Sequence, residues 1–197
     1  KTPWSATEIP FHEAAKMGTQ KVIQEHSTIG LVVTKDGSFG EIPRENYVPA
    51  EEKTIQELKK QGKAFLILVN SQKPYQEETL KLARQMEEKY QVSALTVNCE
   101  QLRKEDVMRI LEKILYEFPV CQIQFFIPKW VEMLSADQEL KSQLLMQIKG
   151  LMEKMKKIKD VTVQSVQLQG PYVEETILEK VDLAAGIARV RVQIKEA

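Results

Sequence analysis

The sequence predicts an α/β fold in which a parallel sheet covered by helices is followed by a smaller α+β module. Three observations carry this. The six residues Ala64–Val69, AFLILV, form an unbroken apolar run closed by Asn70-Ser71 and bracketed by Gly62 and Pro74. A run so short, so bounded and without polar alternation is the signature of a strand buried on both faces, as in the middle of a parallel sheet. Strand-like segments at 28–34, 64–70 and 94–98 are each followed by a helix-like one, at the spacing of about 30 residues that a βα unit needs. After Pro119 the pattern changes to strand, long helix and then consecutive strands.

Taken in order, Pro10 and Phe11 open a helix to about Glu25, with Phe11, Ala15, Gly18 and Val22 at i, i+4, i+7 and i+11. Proline is well tolerated in a first helical turn. Thr28–Thr34 is a β-branched strand. Lys35 to Pro49 is a loop, carrying the turn formers Asp36-Gly37, Gly40 and Pro43. Ala50–Gln61 is an amphipathic helix with Ile55 and Leu58 inward, and Gly62 suits its C′ position. After the central strand, Gln76–Tyr90 is a helix with Thr79, Ala83, Met86 and Tyr90 on one face, and Ala94–Asn98 is the third strand. Val107, Ile110, Leu111, Ile114, Leu115 and Phe118 mark a further helix that Pro119 ends. Right-handed crossovers would set the three strands side by side and parallel, so residues 1–119 read as the later part of a doubly wound domain.

Residues 120–197 read as the start of a second, α+β module. Val120–Ile127 is a strand closed by Pro128, and Ala136–Lys159 is a long helix on the stripe Leu140, Leu144, Ile148, Leu151, Met155 and Ile158. Gly150 inside it costs about 1 kcal/mol relative to Ala. Val161–Leu168 alternates loosely like a strand, and 177–183 with 188–194 form a hairpin around Ala184-Ala185-Gly186.

Composition removes several functional classes. Lys plus Arg and Asp plus Glu are 28 each, so the net charge is zero, which argues against nucleic acid as a partner. Cys99 and Cys121 lack metal-ligand spacing, as expected in a reducing compartment, and His12 and His26 have no cysteine nearby, so no metal site is expected. No apolar run reaches the roughly 20 residues of a membrane span, and no signal peptide is visible. The chain begins Lys-Thr-Pro-Trp and stops shortly after RVRVQI, which leads to the expectation that it is part of a longer protein.

Candidate functional residues follow from the fold. Ligands of open α/β sheets bind beyond the carboxyl ends of the strands, which puts Asn70 and Ser71 forward as nucleotide-binding residues. The competing reading is that Asn70 only terminates the strand through local backbone bonds. In P-loop GTPases the corresponding strand ends in Asn-Lys-x-Asp, whose carboxylate recognises guanine. Here the four residues are Asn70, Ser71, Gln72 and Lys73. An ammonium therefore stands where guanine recognition needs a carboxylate, and an adenine nucleotide, or none, fits better. Asp36-Gly37 is either a ligand contact or a turn, and Cys99 either a reactive thiol or a buried small hydrophobe. The lysines at 154, 156, 157 and 159 are read as complementing a helix dipole, and Trp4 and Trp130 as packing residues. No GxxxxGK[ST] loop occurs, and no catalytic residue is assigned.

The stretches KTPWSATEIPFHEAAKMGTQKVIQEHSTIGLVVTKDGS, IPRENYVPAEE, LYEFPV and IPKWVEML resemble the stage IV sporulation protein A family, the morphogenetic ATPases of the spore coat in endospore-forming Firmicutes. The resemblance implies a P-loop GTPase-like domain switched to ATP, with ATP and magnesium used by the full-length protein and no tight nucleotide binding by this piece alone. It also implies self-assembly into a polymer at the outer forespore surface in the mother-cell cytoplasm. The implied partners are a small amphipathic membrane-anchoring sporulation peptide and other spore coat proteins. The family's phosphate- and magnesium-binding residues would lie before Lys1, so only Asn70 and Ser71 carry over, as the base side of the site. A non-catalytic assembly scaffold is the alternative.

Overall fold

A computed structural model describes residues 8–195, which divide into two compact units, one ending at Ile114 and the other beginning at Leu115. Trp4 lies outside the described residues, as does the side chain of His12.

The first unit is a three-stranded parallel sheet, β1 (Ile29–Lys35), β2 (Ala64–Asn70) and β3 (Ala94–Val97), in the order β1-β2-β3. Leu31 pairs with Leu66 and Val33 with Leu68, and the β3 register sets Leu68 beside Leu95. The apolar run is the central strand, and Phe65–Val69 are buried on both faces as expected. Phe65, Ile67 and Val69 meet α2 (Val48–Lys60) and α3 (Glu77–Tyr90) through Ile55, Leu58, Ala83, Met86 and Tyr90. Leu66 and Leu68 meet Ile110 and Ile114 of α4 (Lys104–Tyr116) on the opposite face.

α2 ends where its sequence says it should. Gly62 has φ +64, its N–H donates to the Lys59 carbonyl, and that of Lys63 donates to Leu58. This is the paired-bond C-terminal motif that only glycine accommodates without strain. Gly30 serves a different purpose: a Cβ there would stand 3.1 Å from the Cβ of Phe65 and 3.2 Å from Leu58, so its absence lets α2 settle onto β1 and β2.

Two apolar stripes face outward, contrary to the usual meaning of such stripes. On α1 (Phe11–Lys21), Phe11 and Ala15 are exposed, as is Val22 in the π-helical turn that follows. On α4, Val107 and Leu111 are exposed while only Ile110 and Ile114 are buried.

The second unit carries β4 (Gln122–Phe126), a short helix α5 (Lys129–Glu132), α6 (Glu139–Lys154), β5 (Val173–Asp182) and β6 (Ile187–Ile194). The sheet order is β4-β6-β5, with β5 antiparallel and β4 parallel to β6. The predicted hairpin is present: Gly186 has φ +67, and Asp182 Oδ1 accepts the Ala184 and Ala185 N–H groups. Ala188, Val190 and Val192 face inward with Leu144, Leu168 and Val166.

Three expectations are corrected in this unit. Residues 161–168 are not a strand. Thr162 and Ser165 exchange side-chain-to-backbone bonds of 2.8 and 3.1 Å, and such local bonds compete with a sheet ladder. The long helix stops at Lys154, leaving Met155 and Ile158 buried in non-helical chain. Trp130 is half exposed on α5.

Candidate functional site

The carboxyl ends of β1, β2 and β3 come together at one edge of the first unit. Asp36 donates its N–H to the Asn70 carbonyl at 3.3 Å, and Ser71 donates to that of Val97 at 2.9 Å. Asn70 turns its side chain sideways, and its Oδ1 accepts the Cys99 N–H at 2.9 Å. The amide therefore bridges the ends of two strands, and one edge of its donor–acceptor pair is already used. Asn98 plays the local version of the same part, accepting the Glu100 N–H at 3.0 Å to cap a 3₁₀ turn over Cys99–Gln101. Asn70→Ala would leave a part-buried N–H without its acceptor, a loss of about 1–3 kcal/mol. Urea unfolding checks this, with the Cys99 amide expected to exchange faster in the variant.

Ser71 is fully buried. Its Oγ accepts the Lys73 N–H at 3.0 Å and lies 3.4 Å from Thr79 Oγ1. It shapes the turn that carries Gln72 and Lys73 into solvent. Thr79, a polar member of the buried α3 stripe, also reaches the Lys73 carbonyl at 3.2 Å and Asp36 Oδ2 at 3.4 Å. The polar residue at a core position was the signal for this hub.

Asp36 accepts the N–H and Oγ–H of Ser38 at 2.9 and 2.6 Å, while Ser38 Oγ accepts the Gln72 N–H at 2.9 Å. The Asp-Gly pair is thus a turn that ties the β1 loop to the β2 loop, with Gly37 at φ +98. Burial pushes the Asp36 carboxyl up, but hydrogen bonds from Ser38 and Ser71 outweigh it and hold the group below the usual range. A depressed carboxyl adds stability above its unfolded value and loses it as pH falls through the folded one. Acid titration of the wild type against Asp36→Asn therefore converges at the acid end, with the difference opening as pH rises.

Behind this loop, Arg44 donates to Thr34 Oγ1, the Lys35 carbonyl and both oxygens of Glu51 at 2.9–3.3 Å. Tyr90 donates to Glu51 Oε1 at 3.1 Å. No sequence pattern announced this buried group, because its members come from a loop and two different helices.

Two cavities open beside the Gln72–Gln76 loop. One, of about 450 Å³, lies between that loop and β3, with Lys73, Tyr75, Asn98, Gln101, Arg103 and Asp106 at its wall. The other, of about 420 Å³, is bounded by Asp36, Ser38, Ser71, Lys73, Glu78 and Thr79. Lys73 borders both. Cys99 packs against the Leu66 cluster, and burial raises its thiol, so it behaves as a small hydrophobe. Among the described residues no group of three or more His, Cys, Asp or Glu could hold a metal ion. No helix among them is long and apolar enough to cross a membrane.

The lysine cluster has a partner that its sequence position concealed. Glu117 is fully buried, and its two oxygens accept from Lys157 Nζ at 2.7 Å and Lys159 Nζ at 2.8 Å. The helix-dipole reading is replaced for these two residues: they lie beyond the end of α6 and neutralise a buried carboxylate.

Comparison with known proteins locates the chain. Residues 1–119 match the family described as Stage IV sporulation protein A, ATPase domain, and residues 120–197 match its middle domain. The chain is 40% identical over 190 residues to stage IV sporulation protein A of Bacillus subtilis (strain 168), and 38% identical over 190 residues to that of Bacillus anthracis. It is 39% identical over 197 residues to that of Clostridioides difficile (strain 630). The alignments cover 96–99% of this chain but only 39–40% of those relatives. No solved structure matches it. A parallel α/β unit followed by a small mixed-sheet unit, with both segments matched in this order, makes this chain a member of the stage IV sporulation protein A family.

Proposed function

We propose that this chain supplies the base side of an ATP site, and the module that follows it, in a morphogenetic protein that hydrolyses ATP to build the basement layer of the spore coat. The single observation that supports the reading is Lys73. It borders both cavities at the carboxyl edge of the sheet, in the position where a guanine site places a carboxylate. An ammonium cannot accept the ring N–H and amino protons of guanine, so the edge discriminates against that base. Asn70 positions the turn by clamping β2 to β3, and exposed Tyr75 offers an aromatic face at the cavity wall.

In the full-length protein the energy of hydrolysis would drive self-assembly into a polymer at the forespore surface, on the mother-cell side. A small amphipathic anchoring peptide and further coat proteins would bind that polymer. Phosphate and magnesium handling would belong to polypeptide outside this chain.

Titration of the full-length protein with ATP and with GTP, each with magnesium, tests the specificity; equal affinity for both sinks it. Lys73→Asp restores an acceptor for guanine, and the GTP-to-ATP affinity ratio should rise about tenfold or more, since buried polar groups discriminate strongly. Failure of the full-length protein to bind either nucleotide would favour the pure scaffold.

A further inference from the structure

Gly150 is a poor fit to its place by every local measure. It stands inside α6, where only proline is a worse helix former. Its backbone does not need glycine, since its φ is not positive. Packing does not need it either, because a Cβ there would meet nothing within 4 Å. What a missing side chain on a helix surface does offer is close approach of another backbone from outside.

The residues on the same row say what approaches. Glu139, Gln143, Met146, Gly150 and Lys154 follow at i, i+4, i+7, i+11 and i+15, one line along the helix. Met146, one turn before Gly150, is 71% exposed, and Leu145 and Met152 are half exposed beside the row. Glu139 Oε1 accepts from Gln143, a neutral donor, at 3.0 Å. Neither Glu139 nor Lys154 joins an ion pair among the described residues. The row thus carries an acid in its first turn, a projecting methionine, a notch and a base in its last turn.

Such a row is complementary to itself turned end over end. Two copies of α6 laid antiparallel, about a two-fold axis level with Ile148, set Met146 of each against Gly150 of the other. The same register brings each Lys154 within one turn of the opposing Glu139, an offset of three residues or about 4.5 Å. The two helix dipoles also oppose each other.

We propose that α6 is a self-association surface, on which a second copy of this chain docks its own α6 antiparallel with Met146 in the notch at Gly150. The contact is isologous, the same patch on both copies. Charge sets its direction and the Met146–Gly150 fit sets its register. One helix pair falls short of the roughly 1,200 Å² that a stable interface buries, so the contact is weak on its own and gains strength when repeated in an assembly. It stands on helix geometry and holds whether or not the first unit binds nucleotide.

Sedimentation equilibrium tests it, with melting temperatures taken on dilute samples. This chain should show a reversible monomer–dimer equilibrium below about 1 mM. Gly150→Gln should weaken it at least about tenfold yet raise the dilute melting temperature, because glutamine is the better helix former. A damaged fold cannot produce those opposite shifts. Glu139→Lys should also weaken association. Glu139→Lys combined with Lys154→Glu should restore most of it, although both changes oppose the helix dipole. A chain that stays monomeric to that concentration overturns the proposal. So does unchanged association in Gly150→Gln, or a double reversal weaker than the single one. In the full-length protein Gly150→Gln should again raise the dilute melting temperature. A fall there assigns the face to another part of the same polypeptide and overturns the proposal.

Discussion

Glu117→Ala is expected to unfold the second unit more readily than any single change at its lysine partners. The carboxylate is fully buried and satisfied by two ammonium groups at 2.7 and 2.8 Å, while the side chains of Lys157 and Lys159 remain about a third exposed. Removing the carboxylate leaves two adjacent cations and a void. Breaking a buried pair costs about 3–5 kcal/mol, and access of the lysines to water sets the value near the lower end. The neighbouring chain depends on the same contact. Val120 donates to Lys156, Ile158 donates to Phe118, and Pro119 bridges Lys157. Thermal unfolding should fall on the order of 15 °C for a unit of this size. Lys157→Met leaves Glu117 its bond to Lys159, so its cost should be about 1–2 kcal/mol. If Lys157→Met proves as costly as Glu117→Ala, the carboxylate is not the organising group. Replacing all three residues by apolar ones of similar volume should recover much of the loss, since a buried charge cluster stabilises little beyond a packed core.

What could be read in advance, and what could not, follows from how far apart the cooperating residues lie. The buried run 64–69 and the stripe Thr79, Ala83, Met86 and Tyr90 were legible because each is a local pattern answered by the adjacent element. The α1 and α4 stripes were equally visible, but what faces an apolar stripe is set by other parts of the polypeptide. Residues 161–168 misled because loose alternation resembles a strand, while Thr162 and Ser165 satisfy their backbone locally. At the candidate site, Asn70 and Ser71 stand at the predicted edge, yet their hydrogen bonds go to Cys99, Lys73 and Thr79. Those partners are 2 to 29 residues away, and only tertiary structure brings the distant ones together. Glu117 with Lys157 and Lys159 shows the limit most plainly: 40 and 42 residues separate the partners.

Arg44→Ala should be the most damaging substitution in the first unit outside its apolar core. Glu51 is buried on α2, and the Arg44 guanidinium meets both of its oxygens. Without Arg44 the carboxylate keeps the Tyr90 hydroxyl, a neutral donor at 3.1 Å. An uncompensated buried carboxylate costs about 3–5 kcal/mol. Arg44→Lys should recover only part of this, because one ammonium cannot span Thr34, the Lys35 carbonyl and both carboxylate oxygens at once. Burial and the charge of Glu51 both raise the Tyr90 phenol, so Glu51→Gln should move the tyrosine titration downward, which absorbance at alkaline pH reads directly. The loss also reaches the candidate site. Arg44 holds the end of β1 through Thr34 and Lys35, and that strand end leads into the Asp36–Ser38 turn that receives the Gln72 N–H. Faster exchange at Gln72 in Arg44→Ala, at denaturant concentrations where the unit stays folded, would show that the buried pair positions the cavity wall as well as stabilising the core. Unchanged exchange there would confine Arg44 to stability.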